Sequence, residues 1–194
     1  MDKILGSLQN TVIAGIALAI LIIAWQSGWF AEFGFDQTIY ARYLHVLSGV
    51  MWIGLLWYFN FVQIPTMPSI PDELKPAIGK HIAPNALFWF RWGAMATLLT
   101  GLWLASVNGY IVEALSLQSG SVLIGLGMWM AVIMWLNVWF IIWPSQKIAL
   151  GIVEAEADAK PAAARKAMRF SRINTLLSIP MLLCMVGQQN GLAF

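Results

Sequence analysis

The stretch that decides the fold is residues 114–146, ALSLQSGSVLIGLGMWMAVIMWLNVWFIIWPSQ, which contains no Asp, Glu, Lys or Arg over 33 positions. A helix that crosses a bilayer needs about 20 apolar residues, so this stretch is long enough to span a membrane once. Four further charge-free stretches, 4–31, 43–71, 92–112 and 173–194, contain 28, 29, 21 and 22 residues. Each of them has the length of a single crossing.

The composition excludes a water-soluble globule. Hydrophobic residues make up 60% of the chain and charged residues 10%, whereas soluble proteins have about 45–50% apolar and roughly 25% charged residues. We therefore predict an all-α integral membrane bundle of about five transmembrane helices, forming one domain over residues 1–194. The predicted helices lie near 6–30, 39–64, 84–107, 118–143 and 168–189.

Two connectors differ in character. Five of the eight prolines lie between the second and third helices, and this clustering predicts an extended loop there. The second connector, residues 147–172, is rich in alanine and charge. Because Pro161 suits the first turn of a helix, residues 162–172 are predicted to extend the fifth helix into water, and Pro180 is predicted to kink that helix.

The positive charges predict an orientation. With the N-terminus inside, ten of the eleven Lys and Arg residues lie on the cytoplasmic side, and Arg42 alone lies outside. We therefore predict an N-inside, C-outside protein of the bacterial inner membrane, surrounded by membrane lipids. The basic residues form no stripe for nucleic acid, and one Cys with two His gives no metal-binding spacing.

Polar side chains inside a membrane are costly, which makes them functional candidates. Four of them, Arg91, Asn60, Gln63 and Asn137, fall at comparable depth near the inner ends of their helices, which predicts a shared polar pocket. One interpretation is hydrogen bonding between helices, with Arg91 reaching the lipid headgroups. The other is a site for an anion or a quinone headgroup.

His45 lies about one and a half turns into the second predicted helix. It is a candidate ligand for haem iron, a proton relay or other metal ligand, or a structural histidine. In the haem interpretation Arg42, one turn earlier, would meet a propionate. His81 cannot be the second ligand because it lies beyond the inner end of a helix that continues about 27 Å from His45.

The remaining candidates for a second haem ligand carry sulfur. At comparable depth the sequence offers Met128, Met185 and Cys184, and an iron with no second ligand is also open. His81 itself is predicted to be an interfacial residue.

Three segments resemble the membrane domain of bacterial membrane-bound urate oxidase, the urate oxidase N-terminal domain family. The first is Arg42-Tyr43-Leu44-His45-Val46 with the Gly-Val-Met-Trp-Ile-Gly and Tyr-Phe-Asn-Phe-Val-Gln segments that follow it. The second is Trp89-Phe90-Arg91-Trp92-Gly93-Ala94, and the third includes Asn137-Val138-Trp139-Phe140. A weaker likeness, the Leu-His-x6-Trp-Ile-Gly pattern from Leu44, connects the chain to membrane protoporphyrinogen oxidase, a small helical bundle with haem b.

The resemblance implies redox chemistry. Long members of the family end in a cytochrome c domain and oxidise urate, passing electrons to the respiratory chain. This chain contains no Cys-x-x-Cys-His, so the resemblance implies a short form without covalent haem.

The leading hypothesis is a membrane redox protein that binds haem b through His45 and Arg42. Its electron partner would be cytochrome c, a quinone or a larger membrane complex. A non-catalytic accessory subunit of a respiratory-type complex and a small-molecule transporter are the alternatives.

Overall fold

The computed structural model describes residues 2–26, 36–156 and 158–192, and all regular structure in these residues is helical. Five helices are long. They are α1, Leu8–Gln26; α2, Gln37–Trp57; α3, Ala83–Val107; α4, Val122–Leu136; and α5, Ala159–Gln189. The all-α prediction is therefore confirmed.

Four stretches are long and apolar enough to span a membrane, by length and composition. They are Leu8–Trp25, Gln37–Ser69, Val122–Ala149 and Ala159–Gln189. Helix α3 has 25 residues but is not among them, since Arg91 and several Trp and Gly residues lower its apolar character. The count of five transmembrane helices and the orientation stay predictions.

The chain forms two units, residues 1–36 and 37–194. The first contains a short helix, Asp2–Leu5, and α1, whose 19 residues are apolar on every face. Thr11 Oγ1 donates to the Ile4 and Ser7 carbonyls across the break between the two helices. The predicted end of this span at residue 30 lies outside the described residues.

In the second unit the long helices pack in pairs. Helix α2 packs mainly on α3, and α4 packs mainly on α5. The core between them is built on large apolar side chains that are almost fully buried, including Trp52, Leu56, Phe90 and Met134. The outward faces carry exposed Leu, Ile, Val and Trp side chains, such as Leu176. Soluble proteins rarely expose such continuous apolar surface, so these faces suit lipid.

The proline-rich connector is helical, which corrects the prediction of an extended loop. It consists of short turns, Ile64–Thr66, Met67–Ser69 and Lys75–Ala77, followed by the segment that leads into α3. Each turn has its proline at the second position, which proline tolerates, and the π-helical segment before Pro65 lets the chain continue into the first of these turns. The prolines therefore start helical turns here instead of preventing them.

Three π-helical segments are each followed by a proline at the same spacing. They span Tyr58–Gln63, Ile78–Ile82 and Asn137–Ile142. In each case a proline follows two residues after the segment ends, at 65, 84 and 144. A proline ring clashes with the carbonyl four residues earlier, and widening the preceding turn relieves that clash. The long helices can therefore continue through their prolines.

The last helix begins within the charged connector, as the sequence predicted. Helix α5 is 31 residues long, starts at Ala159 with Pro161 in its first turn, and includes Pro180 in its interior. Its buried positions recur every three or four residues along one face: Ala163, Ala167, Ser171, Asn174, Ser178, Met181, Cys184 and Gly187. The charged first third and the apolar remainder therefore present one continuous face to the rest of the second unit.

Candidate functional site

A cavity of about 580 Å³ lies between the two helix pairs. Its walls are formed within residues 42–57 of α2, 97–105 of α3, 124–132 of α4 and 181–190 at the end of α5, together with Tyr110. Most of the lining is apolar. Its polar side chains include a group near one end of the cavity and a histidine in the cavity wall.

His45 is the titratable side chain in the wall. Its Nδ1 lies 3.0 Å from the Thr97 carbonyl oxygen on the neighbouring helix. A carbonyl oxygen only accepts, so this hydrogen bond requires the proton on Nδ1 and leaves the lone pair on Nε2. Among the described residues Nε2 has no hydrogen-bond partner. The hydrogen bond therefore fixes the orientation of a ring that lines the cavity, and Nε2 is unbonded in the described part of the chain.

Helix α3 holds His45 through small residues. A Cβ at Gly101 would lie 2.8 Å from His45 Cε1, so only glycine gives the ring this space. Thr97 Oγ1 donates to the Gly93 carbonyl at 2.7 Å, and Thr100 Oγ1 donates to the Ala96 carbonyl at 2.6 Å. Thr100 Oγ1 also lies 3.4 Å from His45 Nδ1, so the shorter contact of 3.0 Å to the Thr97 carbonyl orients the imidazole with the Thr100 hydroxyl beside it.

The mouth residues are the polar side chains at one end of the cavity: Arg42, Tyr110, Gln189 and Asn190. They come from the first turns of α2, the chain just after α3, and the end of α5, which meet at the same end of the unit. Burial raises the pKa of the Tyr110 phenol, and the positive charge of Arg42 opposes that shift. The cavity thus combines a cationic, hydrogen-bonding mouth with an apolar interior.

The sequence indicated Arg42 and His45 as one site, and the structure places both in the wall of this cavity. The sequence did not indicate that Tyr110, Gln189 and Asn190 belong to this site. These residues lie in or next to a chain reversal, where no periodic pattern marks them. Only the folded pairing of α2 with α3, and of α4 with α5, brings them to the mouth.

The three sulfur side chains that the sequence offers as second haem ligands differ in their positions. Met128 and Met185 line the cavity. Cys184 is buried and lies on the buried face of α5, against Gly127 of α4. Among the described residues no three His, Cys, Asp or Glu side chains come together as a metal site.

The amides of the predicted polar pocket are hydrogen bonded to α5. Asn60 Nδ2 donates to Ser171 Oγ at 2.8 Å, and Asn137 Nδ2 donates to Asn174 Oδ1 at 2.8 Å. Asn174 in turn donates to the Met134 carbonyl. The oxygens Asn60 Oδ1 and Gln63 Oε1 are buried without a partner in the described part of the chain. This region has the character of interhelical hydrogen bonding.

Arg91 does not bond the two asparagines, Asn60 and Asn137, with which the sequence predicts a shared polar pocket. Its guanidinium carbon lies 3.3 Å from the centre of the Trp143 ring, and Nε donates to the Leu87 carbonyl at 3.2 Å. Within the described residues neither amide shares a hydrogen bond with it. The sequence could not predict this stacking because Trp143 follows a π segment. The extra residue in the wider turn changes the helix face on which Trp143 lies by a fraction of a turn.

His81 lies away from the cavity. It is exposed, in the Ile78–Ile82 segment, and its carbonyl accepts a bond from Asn85 Nδ2 at 3.4 Å. The interfacial position of His81 stays a prediction.

These observations define a helical membrane protein with an amphipathic cavity between two helix pairs. The model of the urate oxidase N-terminal family matches residues 113–194, which confirms the family resemblance for that part of the chain. The match includes the Asn137–Phe140 segment, whereas the segment around His45 lies outside it. No curated protein and no solved structure is significantly similar to the chain.

Proposed function

We propose that this protein is a membrane redox protein that binds haem b in the cavity, with His45 Nε2 as an axial ligand of the iron. The observation that carries the proposal is the hydrogen bond from His45 Nδ1 to the Thr97 carbonyl. Histidine ligands of metals commonly donate their other ring nitrogen in this way, which fixes the tautomer and raises the basicity of the ligating nitrogen.

The volume and the mostly apolar lining of the cavity support haem binding. Cofactor sites have volumes of about 300–1,000 Å³ and mostly apolar linings, and this one measures about 580 Å³. A Cβ placed on Gly54, in the α2 wall, would meet no atom within 4 Å. The wall is therefore open where a flat ring system could approach the backbone.

The mouth suits the two carboxylates of such a cofactor. Arg42 supplies a permanent positive charge, and Tyr110, Gln189 and Asn190 supply hydrogen-bond donors at the same end. The apolar interior excludes water from the rest of the group. When bound, haem would supply one-electron chemistry, and the chain would orient it and set its surroundings.

The family match supports a role connected with urate oxidation or a related redox reaction. The contacts around Arg91, stacking on Trp143 with Asn60 and Asn137 bonded to α5, favour helix packing there over an anion or quinone site. The proposal therefore assigns the chemistry to the neighbourhood of His45.

A visible absorption spectrum of the protein purified in detergent tests the proposal. We expect a Soret band for wild type, its loss in His45→Ala, and its retention in the matched control His81→Ala. All three proteins should insert equally into membranes, because apolar surface drives insertion. Wild-type protein expressed with ample haem and lacking the Soret band would contradict the proposal and favour the accessory-subunit or transporter hypotheses.

A further inference from the structure

Four sulfur side chains lie at or near the wall opposite His45, and three of them, Met128, Met181 and Met185, line the cavity. His45 belongs to the α2–α3 pair, whereas Met128 lies on α4 and Met181, Cys184 and Met185 lie on α5. A haem placed between the two pairs would therefore meet nitrogen from one side and sulfur from the other. The packing of each sulfur residue shows which of them is available.

Three of the four differ from Met128 in their packing, although Met181 and Met185 also line the cavity. Cys184 Cβ lies 2.9 Å, and Met185 Cε 3.4 Å, from the point where a Cβ on Gly127 would stand, so both are packed in the seam between α4 and α5. Met181 is buried in the hydrophobic core, and Met185 also packs against that core. Cys184 does not line the cavity.

Met128 is the exception. It lies in the middle of the cavity-lining stripe of α4, with Ile124 one turn before it and Ala131 about one turn after it. It is only half-buried and is not part of the core cluster. Its chain neighbour Gly127 has no side chain, so the long, flexible thioether has room to move toward the cavity.

The depth of Met128 matches that of His45. The Asn60–Ser171 and Asn137–Asn174 bonds relate α2 and α4 to α5. At 1.5 Å per residue, His45 lies about 22 Å from the level of Ser171, and Met128 lies about 18 Å from it on the same side. The remaining difference of about 4 Å is within the reach of a methionine side chain. Because α2 and α4 run in the same direction, both side chains also lean toward the same end.

We infer that Met128 Sδ is the second axial ligand, opposite His45 Nε2. The inference rests on the proposed haem site and makes it more specific. An iron with both axial positions filled by protein has no open position for oxygen or substrate, and histidine–methionine ligation is typical of electron-transfer haems. The cavity then transfers electrons, and the substrate is oxidised at another site or on a partner.

Carbon monoxide binding to the reduced protein tests the inference, since it requires an open axial position. We expect wild-type haem to be low-spin and not to shift its Soret band with carbon monoxide. Met128→Leu should retain haem, become high-spin and bind carbon monoxide. Met128→His should restore a low-spin spectrum without carbon monoxide binding. Met130→Leu is the matched control and should behave as wild type, because Met130 packs against the core and does not line the cavity.

The outcomes separate the two proposals. Wild-type protein without haem contradicts the haem site itself. Wild-type haem that binds carbon monoxide, or a Met128→Leu spectrum identical to wild type, leaves the haem site standing and overturns the role of Met128. If Met185→Leu opens the iron to carbon monoxide and Met128→Leu does not, the ligand is Met185 and the inference is wrong.

Discussion

Gly101 and His45 are in contact across the α2–α3 interface so closely that a Cβ on Gly101 would lie 2.8 Å from His45 Cε1 and 3.1 Å from Nδ1. The same ring nitrogen bonds the Thr97 carbonyl one turn away. A single glycine therefore determines whether the imidazole can take the orientation that leaves Nε2 free.

We expect Gly101→Ala to displace the imidazole and lower haem content several-fold. The ring is the movable end of a side chain, so the added methyl group should shift it without unfolding the protein. The haem-to-protein ratio of purified protein measures the effect. Gly15→Ala, in α1 with nothing within 4 Å of the new Cβ, is the control and should bind as wild type. Full haem content in Gly101→Ala would show that the ring position is not set by this contact.

A second glycine tests the volume of the cavity. Gly54 lines the wall, and a Cβ added there would meet nothing within 4 Å. Gly54→Ala should therefore be tolerated, whereas Gly54→Leu should fill the space and reduce haem binding, with little change in thermal stability. The haem-to-protein ratio again measures the effect. Equal haem content in both variants would place the cofactor away from this wall.

The sequence predicted the fold class and most helix positions because both depend on the length of apolar, charge-free stretches. It placed Arg42 and His45 together because residues three apart share a helix face, and both line the cavity; their role in binding haem stays a prediction. It failed for the connector, where the prolines occupy second positions of helical turns, and for Arg91, whose stacking on Trp143 depends on a π segment. The mouth residue Tyr110 was unpredictable because no local pattern relates it to Arg42.

The orientation predicted from positive charge can be tested by fusions. A reporter that is active only in the cytoplasm, fused after residue 194, should give no signal, and a reporter active only outside should give one. The same pair of reporters placed in the 147–172 connector should give the reverse result. A cytoplasmic signal from the first fusion would move the mouth residues to the inner side.

The buried amide pair should stabilise the α4–α5 interface. Asn174 is fully buried and bonds both Asn137 and the Met134 carbonyl. Asn174→Leu leaves the buried Asn137 amide donor unpaired and removes one of the bonds to the Met134 carbonyl, which we expect to lower the free energy of unfolding by about 1–2 kcal/mol. Because Asn137→Leu breaks the same bond, the double variant should lose less than the sum of the two single variants. Thermal unfolding in detergent measures all three, with Asn108→Leu, whose side chain bonds only its own helix, for comparison.

Arg91→Lys distinguishes stacking from a shared polar pocket. The Arg91 guanidinium lies 3.3 Å from the Trp143 ring centre, whereas Lys147 Nζ lies 5.8 Å from the same ring. A planar guanidinium stacks face to face on an indole, and an ammonium group does not. We therefore expect Arg91→Lys to lower the free energy of unfolding, measured by thermal unfolding in detergent, by about 0.5–2 kcal/mol.

Double variants identify the residue with which Arg91 interacts. The effect of Arg91→Lys should disappear in a Trp143→Leu background and should be unchanged in an Asn137→Leu background, because the guanidinium contacts the ring and shares no hydrogen bond with that amide. Lys147→Met should show much weaker coupling to Trp143→Leu, since 5.8 Å is near the limit at which a cation feels the ring. Measured coupling between Arg91 and Asn137 in place of Trp143 would restore the shared polar pocket predicted from their depths and would reopen an anion or quinone site at this end of the bundle.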